Sequence, residues 1–98
     1  MARKLIAIIR RETRVNPRTK NKSYHASLSL EDGKGNELGG SPRFFHDYSE
    51  VATLLIREAG VTYEQLNDRA PLYDNDRTIR IPITVDDEAI GYLGFNAD

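Results

Sequence analysis

From Tyr24 the chain alternates: Tyr24, Ala26, Leu28 and Leu30 point one way while His25, Ser27, Ser29 and Glu31 point the other. A two-residue period of this kind predicts a strand with one wet face. Upstream, Leu5 to Ile9 is a compact apolar run with three isoleucines, bounded by charge on both sides. It reads as a central strand buried on both faces. Asp32-Gly33-Lys34-Gly35-Asn36 supplies the glycines and polar residues of a tight reversal, so a third strand is expected to return through Glu37 and Leu38. Gly39, Gly40 and Pro42 bend or break it, and Arg43 to Phe45 resumes the edge.

At Asp47 the period lengthens. Tyr48, Val51, Ala52, Leu55 and Ala59 fall at helical spacing, Asp47 and Glu50 form a capping-box-like pair, and Gly60 stands where a left-handed cap ends a helix. A second, short helix starts at Thr62, with Gln65 three residues on and Val61 and Leu66 placed as a hydrophobic staple; Pro71 stops it. In the last third, Ile79, Ile81, Ile83 and Val85 alternate with Thr78, Arg80, Pro82 and Thr84. Asp86-Asp87-Glu88 reads as a turn, and Ala89 to Phe95 as the returning strand of a hairpin. Pro82 cannot donate to a ladder, so its strand belongs at an edge or turns that position outward.

The predicted order is β-β-β-α-short α-β-β. With short connections this is an α+β fold, a mostly antiparallel sheet of four to five strands with one main helix packed on one face. Ninety-eight residues suit a single domain spanning 1–98. No cysteine is present, which removes disulfides, thiolate catalysis and zinc-thiolate sites together. The apolar run Leu5 to Ile9 is shorter than the roughly 7–15 residues of a secretory signal, so a cytoplasmic protein is expected, with no membrane partner.

Charge changes the picture. Over residues 1–22, Arg3, Lys4, Arg10, Arg11, Arg14, Arg18, Lys20 and Lys22 face Glu12 alone, about +7, so the remainder carries about −8 of a net −1. Most of these cations fall between the first two strands, and six like charges within fourteen residues discourage collapse. The expectation is a projecting basic hairpin loop at about 10–23, turned at Asn16-Pro17 and with only Val15 able to enter a core. If the flanks continue as strands, its tip stands roughly 15 Å above the body.

The candidate partner-binding residues are Arg10, Arg11, Arg14, Arg18, Lys20, Lys22 and, at the end of the arm, Tyr24. Cations at this density fit phosphates or an acidic protein surface. They equally fit a solvated loop that keeps an edge soluble. Tyr24, Phe44 and Phe45 would make a stacking platform if exposed, but burial in the core is the expectation for them.

The run Leu55-Ile56-Arg57-Glu58-Ala59-Gly60-Val61-Thr62-Tyr63-Glu64-Gln65-Leu66 resembles the turn region of helix-turn-helix proteins. That resemblance implies base contacts by Tyr63, Gln65 and Asn67. The chain departs from the pattern where Pro71 cuts the second helix and where Glu64 and Asp68 would face phosphates.

Catalytic signatures are missing. His25 and His46 have no ligand-like partner at helical or hairpin spacing, and no glycine-framed serine forms a nucleophile elbow. Gly33-Lys34-Gly35 lacks the flanking residues of a phosphate loop. Asp74-Asn75-Asp76 and Asp86-Asp87-Glu88 lack the glycine and distant glutamate of a calcium loop. No enzyme activity, cofactor or metal is therefore expected. The same acidic residues, with Asp98, form either ordinary solvated turns or a negative patch imitating a phosphate backbone.

The expected function is that of a small non-catalytic binding protein, an inhibitor or adaptor that docks through the basic arm on a nucleoprotein or nucleic-acid-handling protein. Direct binding of DNA or RNA by the same arm is the alternative. In size and charge segregation the chain resembles phage-encoded inhibitors of host defence such as anti-CRISPR proteins, a likeness of character that no motif specifies.

Overall fold

The computed structural model describes residues 2–66 and 78–97, with the backbone alone at Glu12, Thr13 and Tyr24. Four strands, β1 (Arg3–Val15), β2 (Lys22–Glu31), β3 (Arg43–Phe45) and β4 (Thr78–Val85), form one antiparallel sheet in the order β3-β2-β1-β4. Three helices accompany it: α1 (Tyr48–Ala59), α2 (Tyr63–Leu66) and α3 (Asp87–Tyr92). The α+β class, the mostly antiparallel sheet and the main helix on one face are as expected.

Alternation decides which face is covered. Leu5, Ala7 and Ile9 of β1, Ala26, Leu28 and Leu30 of β2, and Ile79, Ile81, Ile83 and Val85 of β4 all turn to the side where α1 buries Val51, Leu54 and Leu55. Each of these large side chains gains roughly 1.5–3 kcal/mol by leaving water, and that gain holds an amphipathic helix that would be marginal alone.

The opposite face has no helix over it among the described residues. Ile6 on β1 is half-buried there, and Ile8, Ser27 and Ser29 are buried. β1 is thus central in the sheet, and among the described residues no helix covers its second face. An unbroken apolar run cannot by itself tell a second layer from a rim of long side chains.

α1 begins as the sequence predicts. The Asp47 carboxylate accepts from the Glu50 backbone N–H at 3.0 Å and from the Ser49 hydroxyl at 2.7 Å, and these bonds, the Ser49 one foremost, hold its pKa below the ordinary value of 3.8. Gly60 closes the helix with φ 66°, a left-handed backbone that glycine adopts without a Cβ penalty. At α2, the side chains of Thr62 and Gln65 cap one another reciprocally, and Val61 and Leu66 are both buried, as the staple requires. The stop at Pro71 lies outside the described residues.

The predicted closing hairpin is replaced by a strand and a helix. Asp86 accepts from the Ala89 N–H at 2.8 Å as an N-cap, Asp87 and Glu88 occupy the first helical turn, and the chain then runs as α3 with Ile90 and Leu93 buried. Acidic residues favour a helix N-terminus, where the backbone N–H groups point outward, so the triplet read as a turn is a helix start. Ala89, Ile90 and Leu93 recur at helical spacing within a segment too short to exclude a strand. Beyond α3, Asn96 donates from its backbone N–H to the Gly39 carbonyl, which ties the end of the chain to the bend before β3.

Pro82 lies on β4, an edge strand, opposite Ile6. The described residues include no helix long and apolar enough to cross a membrane.

Candidate functional site

β4 accompanies β1 only as far as Arg10, and β3 accompanies β2 only between Ala26 and Leu28. Beyond those positions β1 and β2 continue alone, paired through Glu12↔His25, Thr13↔Tyr24 and Arg14↔Ser23 to Val15↔Lys22. The basic segment is therefore a two-stranded ribbon rather than a long loop. It accounts for a molecule 49 Å long and only 26 and 23 Å across.

Hydrogen bonds close the tip. Asn16 and Asn21 are joined from backbone N–H to carbonyl at 2.9 Å, the Lys20 N–H donates to the Asn16 carbonyl at 2.8 Å, and the Asn16 side-chain oxygen accepts from the Arg18 N–H at 2.9 Å. Pro17 sits where a turn favours its fixed φ. Lys20 has φ 63°, a left-handed backbone that costs a side-chain-bearing residue roughly 1 kcal/mol and that glycine or asparagine would occupy more cheaply. A lysine at that position keeps a charge on the exposed tip of the ribbon.

The predicted contact residues separate along the ribbon. Arg10, Arg14, Arg18, Lys20 and Lys22 are exposed. Arg11 is not. Its side chain is 5% exposed, with Cζ 3.9 Å from the centroid of the Tyr48 ring. Arg11 is thereby corrected from a partner contact to a structural residue. A weakly hydrated planar guanidinium stacks on an aromatic face at lower desolvation cost than an ammonium would. The Tyr48 hydroxyl in turn donates to the Leu66 carbonyl, so the ribbon base, the start of α1 and the end of α2 are locked together.

Val15, the one arm residue able to enter a core, is exposed at the tip. Tyr24 stands opposite Thr13 in the ladder, and its side chain lies outside the described residues.

Phe44 and Phe45 were expected in the core, and adjacency in a strand divides them. Phe45 turns toward the helix side and is half-buried, with the Arg43 guanidinium 4.8 Å above its ring. Phe44 pairs with Ser27 and is 67% exposed on the open face. Phe44 is a wall of two clefts. One, of about 550 Å³, is bounded by Arg14, His25, Arg43, His46 and Glu50; the other, of about 510 Å³, has Ile8, Ser27 and Ser29 in its floor and Arg10 and Arg80 in its sides. Both histidines thus meet at one cleft, which sequence spacing could not show because one lies on β2 and the other after β3. The described residues include no group of three or more His, Asp or Glu positioned to hold a metal ion.

The helix-turn-helix contacts are not assembled in the described residues. α2 spans four residues there, Gln65 is engaged in capping Thr62, and Asn67 lies outside. Of the acidic patch, Asp86 caps α3, Asp87 pairs with Arg3 at 3.6 Å and Glu88 accepts from the Tyr92 hydroxyl at 3.1 Å. Asp74, Asp76 and Asp98 lie outside the described residues. No family model, curated protein or solved structure matches the chain, so its function must be read from its own geometry.

Proposed function

We propose that the chain is a small non-catalytic binding protein that docks on a nucleoprotein or nucleic-acid-handling protein through the basic ribbon and blocks or adapts it. One observation carries this reading: Arg14, Arg18, Lys20 and Lys22 are exposed on a hydrogen-bonded ribbon that stands clear of an otherwise acidic body. A preformed ribbon presents its charges with little ordering cost, and net positive potential confined to one projection steers it toward a polyanion.

The test is recovery of a partner from nuclease-treated and untreated lysate by the intact protein and by an Arg14→Glu/Arg18→Glu variant. The ribbon reading expects the variant to lose the partner; equal recovery by both proteins removes it.

Direct binding of DNA or RNA is the second reading, supported by ribbon shape, since a major groove about 12 Å wide admits a two-stranded ribbon. Four phosphate contacts would give a log–log salt slope of about −3 to −4 on duplex. A salt-independent complex is incompatible with it.

A further inference from the structure

We infer that the sheet face around Phe44, which no helix covers among the described residues, binds single-stranded nucleic acid, one base stacking on the Phe44 ring and the flanking phosphates meeting Arg10 and Arg14. The inference rests on the ribbon reading, because both arginines belong to β1 and continue the basic ribbon onto the sheet.

Phe44 is exposed where an aromatic ring is ordinarily buried. A phenyl ring left two-thirds in water has lost most of what burial gives an aromatic side chain. It lines two clefts, each of which also has arginines in its lining. An aromatic ridge between cationic walls is how a strand without fixed sequence is gripped: every base offers a π-face, and the backbone offers a phosphate on either side.

Register points the same way. Ser27 is paired with Phe44 on one side and with Arg10 on the other, so the ring and that guanidinium rise from neighbouring strands at the same level. Arg14 is four residues farther along β1, roughly 13 Å at strand rise, and lines the cleft on the other side of Phe44. A backbone crossing the ring passes from one arginine to the other and on up the ribbon.

The floor adds discrimination. Ser27 and Ser29 place hydroxyls beneath the second cleft, with the Glu31 and Glu37 carboxylates at its margin. Both clefts hold carboxylates beside their arginines, Glu31 and Glu37 in this one and Glu50 in the other; a carboxylate accepts from the exocyclic amines of cytosine and adenine, while Arg10 and Arg14 are left to meet the phosphates. Bases stacked inside a duplex cannot reach the ring. The occupant is therefore single-stranded.

Fluorescence anisotropy with labelled twelve-nucleotide single strands of DNA and RNA, and a duplex of equal length, tests this at low and moderate salt. The wild type is expected to prefer the single strands. Phe44→Ala should weaken them about tenfold with an unchanged salt slope, while Phe44→Tyr retains binding. Thermal melting checks that both variants fold, as an exposed site predicts.

A preference for duplex, or equal affinity of wild type and Phe44→Ala for single strands, overturns the inference. If Phe44→Ala is silent while Arg18→Glu/Lys20→Glu releases the oligonucleotide, the sheet face falls and the ribbon stands. If no oligonucleotide binds but the ribbon still captures a protein, the sheet face again falls alone. Dependence on Phe44 without dependence on the tip supports the face and moves the phosphate contacts from the tip of the ribbon to Arg10 and Arg14.

Discussion

Arg11 and Arg14 are three residues apart on the same strand and have opposite fates. At the base of the ribbon, Arg11 is buried on the Tyr48 ring; toward the tip, Arg14 is exposed and lines a cleft with His25 and Phe44. The residue type is constant, so position relative to α1 makes the difference. A guanidinium next to a packed aromatic helps hold the fold, and one farther along the ribbon stays exposed to solvent. Charge counted along a sequence therefore overstates the interface by whatever fraction the fold uses itself.

The largest effect should come from inverting the inner charge. Arg11→Glu puts a carboxylate against the face of Tyr48, where the ring quadrupole repels it and burial removes its water, and should cost about 3 kcal/mol or more of stability. Arg11→Met keeps the apolar stem and forgoes the cation–π contact, a loss of roughly 1–2 kcal/mol. Urea denaturation reads both. If Arg11→Glu melts like the wild type, the base is as solvent-facing as the tip and the contrast disappears.

Reversing charge at the tip should do the opposite. Arg18→Glu/Lys20→Glu is expected to leave stability within about 0.5 kcal/mol, since both side chains are exposed. On a nucleic acid it should weaken binding at least about tenfold and make the salt slope shallower by roughly 1.4 on single strands or 1.8 on duplex. Lys20→Gly sharpens the result: relief of the positive φ should add up to about 1 kcal/mol of stability while one cation is lost. Binding that survives all three substitutions would place the contact on the sheet face instead.

These contrasts also mark what the residues made legible. The alternation over Tyr24–Glu31 and Thr78–Val85 and the caps of α1 and α2 are local signals, and local physics decides them. The place of the basic projection was readable for the same reason, as was its turn at Asn16-Pro17. Other features depend on distant partners. Arg11 is buried because Tyr48 lies over it, and no property of either residue in isolation announces the other. Phe44 is exposed on the face that no helix covers among the described residues, whereas apolar character alone would send both phenylalanines inward. At α3, an acidic triplet served a helix start and a turn equally well until the packing of Ile90 and Leu93 chose between them.

The smallest effect asks whether the base depends on how α1 begins. Tyr48 is the first helical residue, directly after the N-cap Asp47, so a loosened cap should loosen the ring on which Arg11 rests. Asp47→Ala should cost about 1 kcal/mol at neutral pH. The Ser49 hydroxyl and the Glu50 N–H favour the ionised carboxylate and lower its pKa, so its contribution is complete above the ordinary value of 3.8 and is lost as pH falls through the lower folded-state value. The stability difference between wild type and Asp47→Ala should therefore persist at neutral pH and shrink only below about 4. Hydrogen exchange at residues 11 and 26, where the ribbon leaves the sheet, should quicken in the variant, whereas exchange at the tip turn and binding through Arg18 and Lys20 should not change. Acceleration that reached the tip as strongly as the base would mean that the ribbon opens as one unit, and the two arginines would then differ in burial without differing in role.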